Sequence, residues 1–258
     1  MVCSIGTDDK QILAEFNSPG CSHAFFNRHG GVGRAPFFSK NVSFGVGDDA
    51  AAVRENRRQV KRSLQLDRLI SARQVHGEAI HCADAATGDE EIDEVDALIT
   101  DRPGVGLMIQ QADCQAVLLH DPIHRAIAAI HCGWRGSVAG IIEKTVARMQ
   151  GCFGSEPAFL QAAVSPSLGP CCGEFVNYEA ELPQAFQRFQ VRENYFDFWE
   201  ISRWQLQECG VKAASIAVAG QCTVCSSDYF SYRRACRENS GRTGRNCSVI
   251  VLRPQTDR

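Results

Sequence analysis

Cys114, His131 and His76 are the side chains here whose types and placement best suit chemistry. Within Gln110 to Gly136, two apolar runs, AVLLH and AIAAIH, read as buried strands joined by the Asp121-Pro122 turn. Cys114 stands just before the first run and His131 closes the second, while His76, in Gln74-Val75-His76-Gly77, closes an earlier one, LISARQV. One Cys and two His, each where a strand meets a loop, match the ligand set of a catalytic zinc site that keeps a position open for water. Taken singly, each has an ordinary reading, as a core histidine satisfied by backbone or as a small buried thiol. Asp113 and Arg135, close by in sequence, favour a site.

Other thiols make weaker cases. Cys222-Thr223-Val224-Cys225 follows a strand with the spacing of a redox pair or half a zinc site. No helix is expected to start there and the chain has no second C-x-x-C, so free thiols are the expectation, at Cys171-Cys172 too. Arg28-His29-Gly30-Gly31-Val32-Gly33 is a glycine-rich turn, either a close approach to a ligand or a tight connection. Its spacing is not the dinucleotide fingerprint.

The elements that must position these residues follow from pattern. SHAFFN (22–27), ALIT, GVGLMIQ after Pro103-Gly104, FLQAAV (159–164), SIAVAG (215–220) and CSVIVL (247–252) read as strands, with a short one at Asn41 to Gly45. Residues 50–65 form an amphipathic helix behind the Asp48-Asp49 start signal, with Val53, Val60 and Leu64 inward and a solvated basic face. A helix of about 14 residues follows His131, with Ser137 as N-cap and Ile141, Ile142, Val146 and Met149 in its stripe. Residues 178–190 and 199–209 read as further helices, 86–96 as an acidic loop, 165–173 as a rigid loop, and YFSYRRACRENSGRTGR as an arginine-dense connection. Without repeats or linkers, one α+β domain with layered sheets, spanning 1–258, is expected.

The 258 residues are 44% hydrophobic and 22% charged, enough for a substantial core. A net charge of -3 argues against a nucleic-acid binder held by a general positive field, but leaves local anion sites open. The N-terminal stretch MVCSIGTDDKQILAEF has no signal-peptide pattern and no run suits a membrane span, so a cytoplasmic protein with reduced thiols is expected despite 13 cysteines.

Five motifs in order carry a resemblance: Gln74-Val75-His76-Gly77, Ala112-Asp113-Cys114, His131-Cys132-Gly133-Trp134-Arg135-Gly136, Phe230-Ser231-Tyr232-Arg233-Arg234 and Thr243-Gly244-Arg245. From about Phe25 to Leu252 the chain resembles the laccase-domain family, whose members have been named polyphenol oxidases, peptidoglycan editing factors and purine nucleoside phosphorylases. The resemblance implies a four-layer α/β/β/α fold with mixed sheets and a zinc site at His76, Cys114 and His131. It also implies phosphate-dependent cleavage of adenosine, inosine, guanosine and 5'-methylthioadenosine, and deamination of adenosine. Cys132 stands where alanine is usual, and SPSLGPCCGEF replaces a more typical Gly-Pro opening.

For such reactions Asp113 is the nearest acid in sequence to shuttle a proton. Guanidinium forks suit phosphate, so Arg28, Arg135 and Arg233, backed by Arg234 and Arg245, form the expected clamp, with Asn41 counted among the substrate-binding residues. The expected partners are purine nucleosides and phosphate, not nucleic acid or membrane, in a monomer or homodimer. Copper oxidase chemistry is disfavoured, because blue copper usually adds an axial Met and the chain has seven His and no His-x-His. Two other readings stay open: Cys114 as a thiolate nucleophile acting on a cell-wall precursor, paired with His76 or His131, and a non-catalytic zinc sensor.

Overall fold

A computed structural model of the chain describes residues 4–7, 9–16, 18–84 and 87–254. Residues 1–3 and 8 of the N-terminal stretch and Ala86 of the acidic loop lie outside the described residues. The chain opens with β1 (Ser4–Thr7), β2 (Lys10–Leu13), β3 (Cys21–Phe26), α1 (Ala50–Leu64), β4 (Arg68–Arg73), β5 (Ile80–Cys82) and β6 (Glu91–Asp93). Its centre is β7 (Ala97–Thr100), β8 (Val105–Gln111), β9 (Gln115–Asp121) and β10 (Ala126–Cys132). Then come α2 (Trp134–Ala139), α3 (Ile141–Phe153), β11 (Gln161–Val164), α4 (Tyr178–Glu181), β12 (Gln190–Arg192) and β13 (Tyr195–Phe196). The last elements are α5 (Phe198–Glu208), β14 (Ile216–Val218), α6 (Tyr232–Glu238) and β15 (Asn246–Leu252).

Strands apolar on both faces need cover on both sides, and every residue of β8, β9, β10 and β15 is buried. The cover comes from pairing two mixed sheets and flanking them with helices. A seven-stranded sheet runs β1-β2-β3-β15-β8-β4-β6 and a six-stranded one runs β14-β11-β9-β10-β7-β5. Between them, Ile70, Leu107 and Ile250 meet Leu98, Leu118 and Ile127. Outside the larger sheet, Val60 and Leu64 of α1 pack on Phe26, Met108 and Val249. Outside the smaller one, Val146 and Met149 of α3 and Leu206 of α5 cover Ile99, Val117 and Ile130. The strand period of two sends Leu118 inward and its neighbours Val117 and Leu119 outward. The layers are therefore α/β/β/α.

Helix α1 starts where its cap predicts, with the Asp49 side chain accepting from Ala51 N–H. Its basic face is not merely solvated, because the half-buried Arg57 reaches Val42 O, Ser71 Oγ and Glu91, the last at 2.6 Å. That pairing lets a strand, β6, form inside the expected acidic loop and run parallel to β4. Asn41 to Gly45 is not a strand. Asn41 bonds the Ser43 backbone through both ends of its amide, and such local bonds compete with a ladder. Residues 178–190 do not form one helix either, because Pro183 cannot continue it; α4 stops at Glu181, and a 3-10 turn, Gln184–Phe189, leads into β12.

His23 on β3 makes the core pH-sensitive. It is 3% exposed, and its Nε2 accepts from Leu13 N–H at 3.0 Å. Burial pushes its pKa down to about 4 from 6.5. The folded pKa lies below the unfolded one, so the neutral ring's stabilisation is present above 6.5 and is lost as pH falls toward 4. At 1.36 kcal/mol per unit this is roughly 3 kcal/mol. Urea midpoints for His23→Gln should fall less steeply than wild type across that window, and equal slopes would refute the assignment.

Candidate active site

A buried acid at the head of β7 organises the site. The Asp96 carboxylate accepts from the backbone N–H groups of Val75, His76 and Gly77 at 3.2, 3.0 and 2.7 Å. It also takes His131 Nδ1–H at 2.7 Å, and Asp96 O receives His131 N–H at the same distance. These bonds hold His76 at a left-handed φ of 60° and leave His131 Nε2 for the cleft. Burial opposes the charge of Asp96, but His131 and the amides outweigh it and keep the carboxyl below its ordinary pKa.

Cys114 Sγ lies 3.8 Å from His76 Nε2, and the two imidazole rings stand edge to face with centroids 4.8 Å apart. One ligand atom from each of His76, Cys114 and His131 falls within 4.8 Å of the others. This donor set fits a zinc-like ion held at three corners, with exposed His76 marking the side open to solvent. The protons agree. Burial works against both charges, yet His131 and His76 bring Cys114 down to about 6, while Cys114 and Asp96 raise His131 to about 9.

Gly133 makes the approach possible. A Cβ there would sit 3.0 Å from Cys114 Sγ and 3.1 Å from His76 Cδ2. Gly133, rather than Ser137, caps α2, and Gly140 at φ 74° breaks the expected long helix into α2 and α3. Ser137 is buried inside α2 with its hydroxyl 3.2 Å from Cys132 Sγ. Burial lifts that thiol to about 11, and Cys132 is not among the clustered ligands. Gly133→Ala should weaken metal retention about tenfold by spreading the ligands, with the fold kept; unchanged retention on titration with a competing chelator would overturn this.

The other expected residues divide. Asp113 does not present a free acid, because its carboxylate accepts from Thr223 Oγ1–H at 2.7 Å, Ser231 Oγ–H at 3.0 Å and Arg233 N–H at 2.7 Å. It anchors the start of α6, a helix that pattern alone did not reveal. Arg234 spends its guanidinium on the carbonyls of Thr223, Val224, Ser226 and Tyr229. Arg28 donates to Phe38 O at 2.8 Å and stacks on Phe230, and Asn41 is fully buried and locally bonded, its Oδ1 receiving Arg245 N–H at 2.9 Å. These three support loops rather than line the cleft. The glycine turn is a tight connection, since a Cβ on Gly31 would meet Ser39 O at 2.3 Å.

Arg135, Arg233 and Arg245 do line it. The cleft has two lobes that share His76, Cys114, Arg135 and Tyr232. One, about 700 Å³, is lined by side chains that include Gln74, Gln111 and Arg245. The other, about 280 Å³, is walled by Trp134, Phe175 and Phe198 and holds Arg233. Arg135 is exposed and lies over the Trp134 ring at 4.4 Å. Gln115, 2% exposed, lines the aromatic lobe; its Oε1 accepts from Ser202, and its Nε2 has no hydrogen-bond partner among the described residues. Sequence reading missed Asp96, Gln115 and the aromatic wall. An acid directly before a buried strand was the one signal for Asp96.

No helix among the described residues is long and apolar enough to cross a membrane. A protein from Bacteroides thetaiotaomicron named purine nucleoside phosphorylase is 35% identical, with 92% of this chain and 95% of that protein aligned. Purine nucleoside phosphorylase YlmD of Geobacillus stearothermophilus is 31% identical over 88% of this chain and 89% of its own. The crystal structure of the Bacillus licheniformis hypothetical protein YfiH superposes with a TM-score of 0.87 at 27% identity, covering 96% of this chain and 98% of that one. The family model described as "Multi-copper polyphenol oxidoreductase laccase" matches residues 22–253, nearly the whole described chain, and the chain belongs to that laccase-domain family.

Proposed function

We propose that this chain is a purine nucleoside phosphorylase whose reaction centre is the junction of the two lobes, with zinc held by His76, Cys114 and His131. The observation that carries the reading is this His-Cys-His set opening between an aromatic lobe and a larger lobe lined by Gln74, Gln111 and Arg245, with Arg135 common to both. Relatives named for that activity support it. Trp134, Phe175 and Phe198 offer faces for a planar base. Arg135, stacked on Trp134, offers a fork for phosphate, and Arg245, with one terminal nitrogen already on Thr243 O and Gly244 O, offers its remaining N–H groups. In phosphorolysis a phosphate oxygen bonds C1' as the C1'–N9 bond breaks, and the purine leaves with the bonding pair and takes up a proton. Zinc, when bound, supplies a Lewis acid that stabilises developing negative charge or lowers the pKa of water. Adenosine, inosine, guanosine and 5'-methylthioadenosine are the substrates we assign, with deamination of adenosine as a second reaction at the same centre.

The direct test incubates metal-analysed protein with inosine or adenosine, with and without phosphate, and separates the bases. Free base that forms only with phosphate supports the reading; untouched nucleosides in zinc-replete protein refute it and direct attention to cell-wall precursors. Gln115→Glu keeps the acceptor for Ser202 but replaces the buried, unpartnered Nε2 donor beside the aromatic lobe with an acceptor. It should raise KM for inosine about tenfold or more, and an unchanged KM would remove Gln115 from base recognition.

A second reading draws on the Cys114 thiol, brought down to about 6, and His131, raised to about 9, the pairing a nucleophilic cysteine needs. A copper oxidase has less. Neither metal-ligand group among the described residues contains more than two His, and Met108 and Met149 are buried in cores on the outer faces of the sheets.

A further inference from the structure

Two pairs of thiols far apart in sequence meet at one surface point away from the His-Cys-His set. Cys171 and Cys172 lie in the loop after β11, and Cys222 and Cys225 in the C-x-x-C turn after β14. The loops are joined by backbone bonds, Ser167 N–H to Gln221 O at 3.1 Å and Thr223 N–H to Ser167 O at 2.9 Å. A turn closed by Cys172 N–H to Gly169 O at 2.9 Å lets both consecutive thiols face Cys225. The sulfurs of Cys171 and Cys172 each lie 3.5 Å from that of Cys225, and all four lie within 4.8 Å of one another.

We propose that Cys171, Cys172, Cys222 and Cys225 form a second metal site, structural in kind, that takes a thiophilic divalent ion such as zinc. With metal–sulfur bonds of about 2.3 Å, a tetrahedron has sulfur–sulfur edges of about 3.8 Å, close to the spacing present, whereas a disulfide needs about 2.05 Å. The C-x-x-C turn is arranged for a thiolate, because the N–H groups of Val224 and Cys225 and that of Gly169, at 3.4 Å, all point at Cys222 Sγ. Four thiols this close can ionise together only around a cation. Arg234 ties down the carbonyls of Thr223, Val224 and Ser226, and Arg192 donates to Cys171 O at 3.1 Å, so cationic side chains flank a site that would carry net negative charge. Cys171 and Cys225 are exposed, which gives an ion a route in.

Four protein ligands leave no position for water, so the ion clamps rather than catalyses. What it clamps is the support of the reaction centre. Leu168 N–H donates to Asp113 O at 2.8 Å and Thr223 Oγ1–H to Asp113 Oδ1 at 2.7 Å, one residue before Cys114.

The test uses the full chain with Cys114→Ala, which disables the first site and leaves the four cysteines untouched. Loaded with cobalt, it should bind about one ion per chain with the intense sulfur-to-metal charge transfer of tetrathiolate coordination. Adding Cys171→Ser and Cys225→Ser should reduce bound metal at least tenfold. A Cys114→Ala chain that binds no cobalt, or binds it without thiolate absorbance, overturns the proposal. So does a Cys171–Cys225 disulfide in protein prepared anaerobically with zinc and reductant.

Discussion

Cys114→Ser should leave the fold intact and lower phosphate-dependent base release by about three orders of magnitude or more. Cys114 caps no helix and sits half-buried at the cleft, so serine costs little packing. It removes the one ligand of the set that carries negative charge, because a serine hydroxyl stays protonated where this thiol does not. The nucleophile reading predicts the same loss, so the deciding arm is chelation. Wild-type protein stripped of metal should lose its rate and regain it with zinc, whereas an enzyme that works through the thiolate should keep its rate when stripped. The stripped protein has its own signature. His131 and His76, acting against burial, bring the thiol down to about 6, so alkylation of Cys114 should rise as pH climbs through 6 rather than through the ordinary 9. Zinc should suppress that reaction. Alkylation that waits until pH 9 would remove the ion pair from the account.

Residues were legible in sequence where one type does one thing. His76 and His131 each close an apolar run and Cys114 stands just before one, and their convergence needed only the strands to align. Helix α1 was legible because Asp49 and the stripe of Val53, Val60 and Leu64 are local signals. What stayed hidden depends on partners far along the chain. Asp96 reads as the last charge of an acidic loop until His131, 35 residues on, is placed beside it. Helix α6 was missed because its first turn is held by Asp113, 120 residues before Arg233. The cysteine cluster was missed because Cys171 and Cys225 lie 54 residues apart. Arginine misled in the opposite direction. Sequence displays the fork but not the carbonyls that occupy it or the place it points from: Arg28 and Arg234 are spent on backbone away from the cleft, while Arg245 lines the cleft although it too donates to Thr243 O and Gly244 O.

Asp96→Asn should lower zinc affinity about 10–100-fold and kcat/KM by about two orders of magnitude, although neither oxygen of Asp96 belongs to the ligand set. The substitution preserves shape and removes function in two places. An amide presents one oxygen where the carboxylate presents two, and its NH₂ turned toward Val75 and Gly77 N–H would set donor against donor. Turned the other way, it sets NH₂ against His76 N–H and His131 Nδ1–H, which favours the tautomer with its proton on the metal-facing nitrogen. Either orientation leaves a buried donor unsatisfied at about 1–3 kcal/mol, so the variant should also melt earlier. Saturating zinc separates the two losses. Occupancy should recover while kcat stays depressed, because the ion returns but the histidines that hold it are no longer fixed. If zinc at saturation restores wild-type kcat, Asp96 governs affinity alone; if the variant binds zinc as tightly as wild type, the buried acid does not organise the centre.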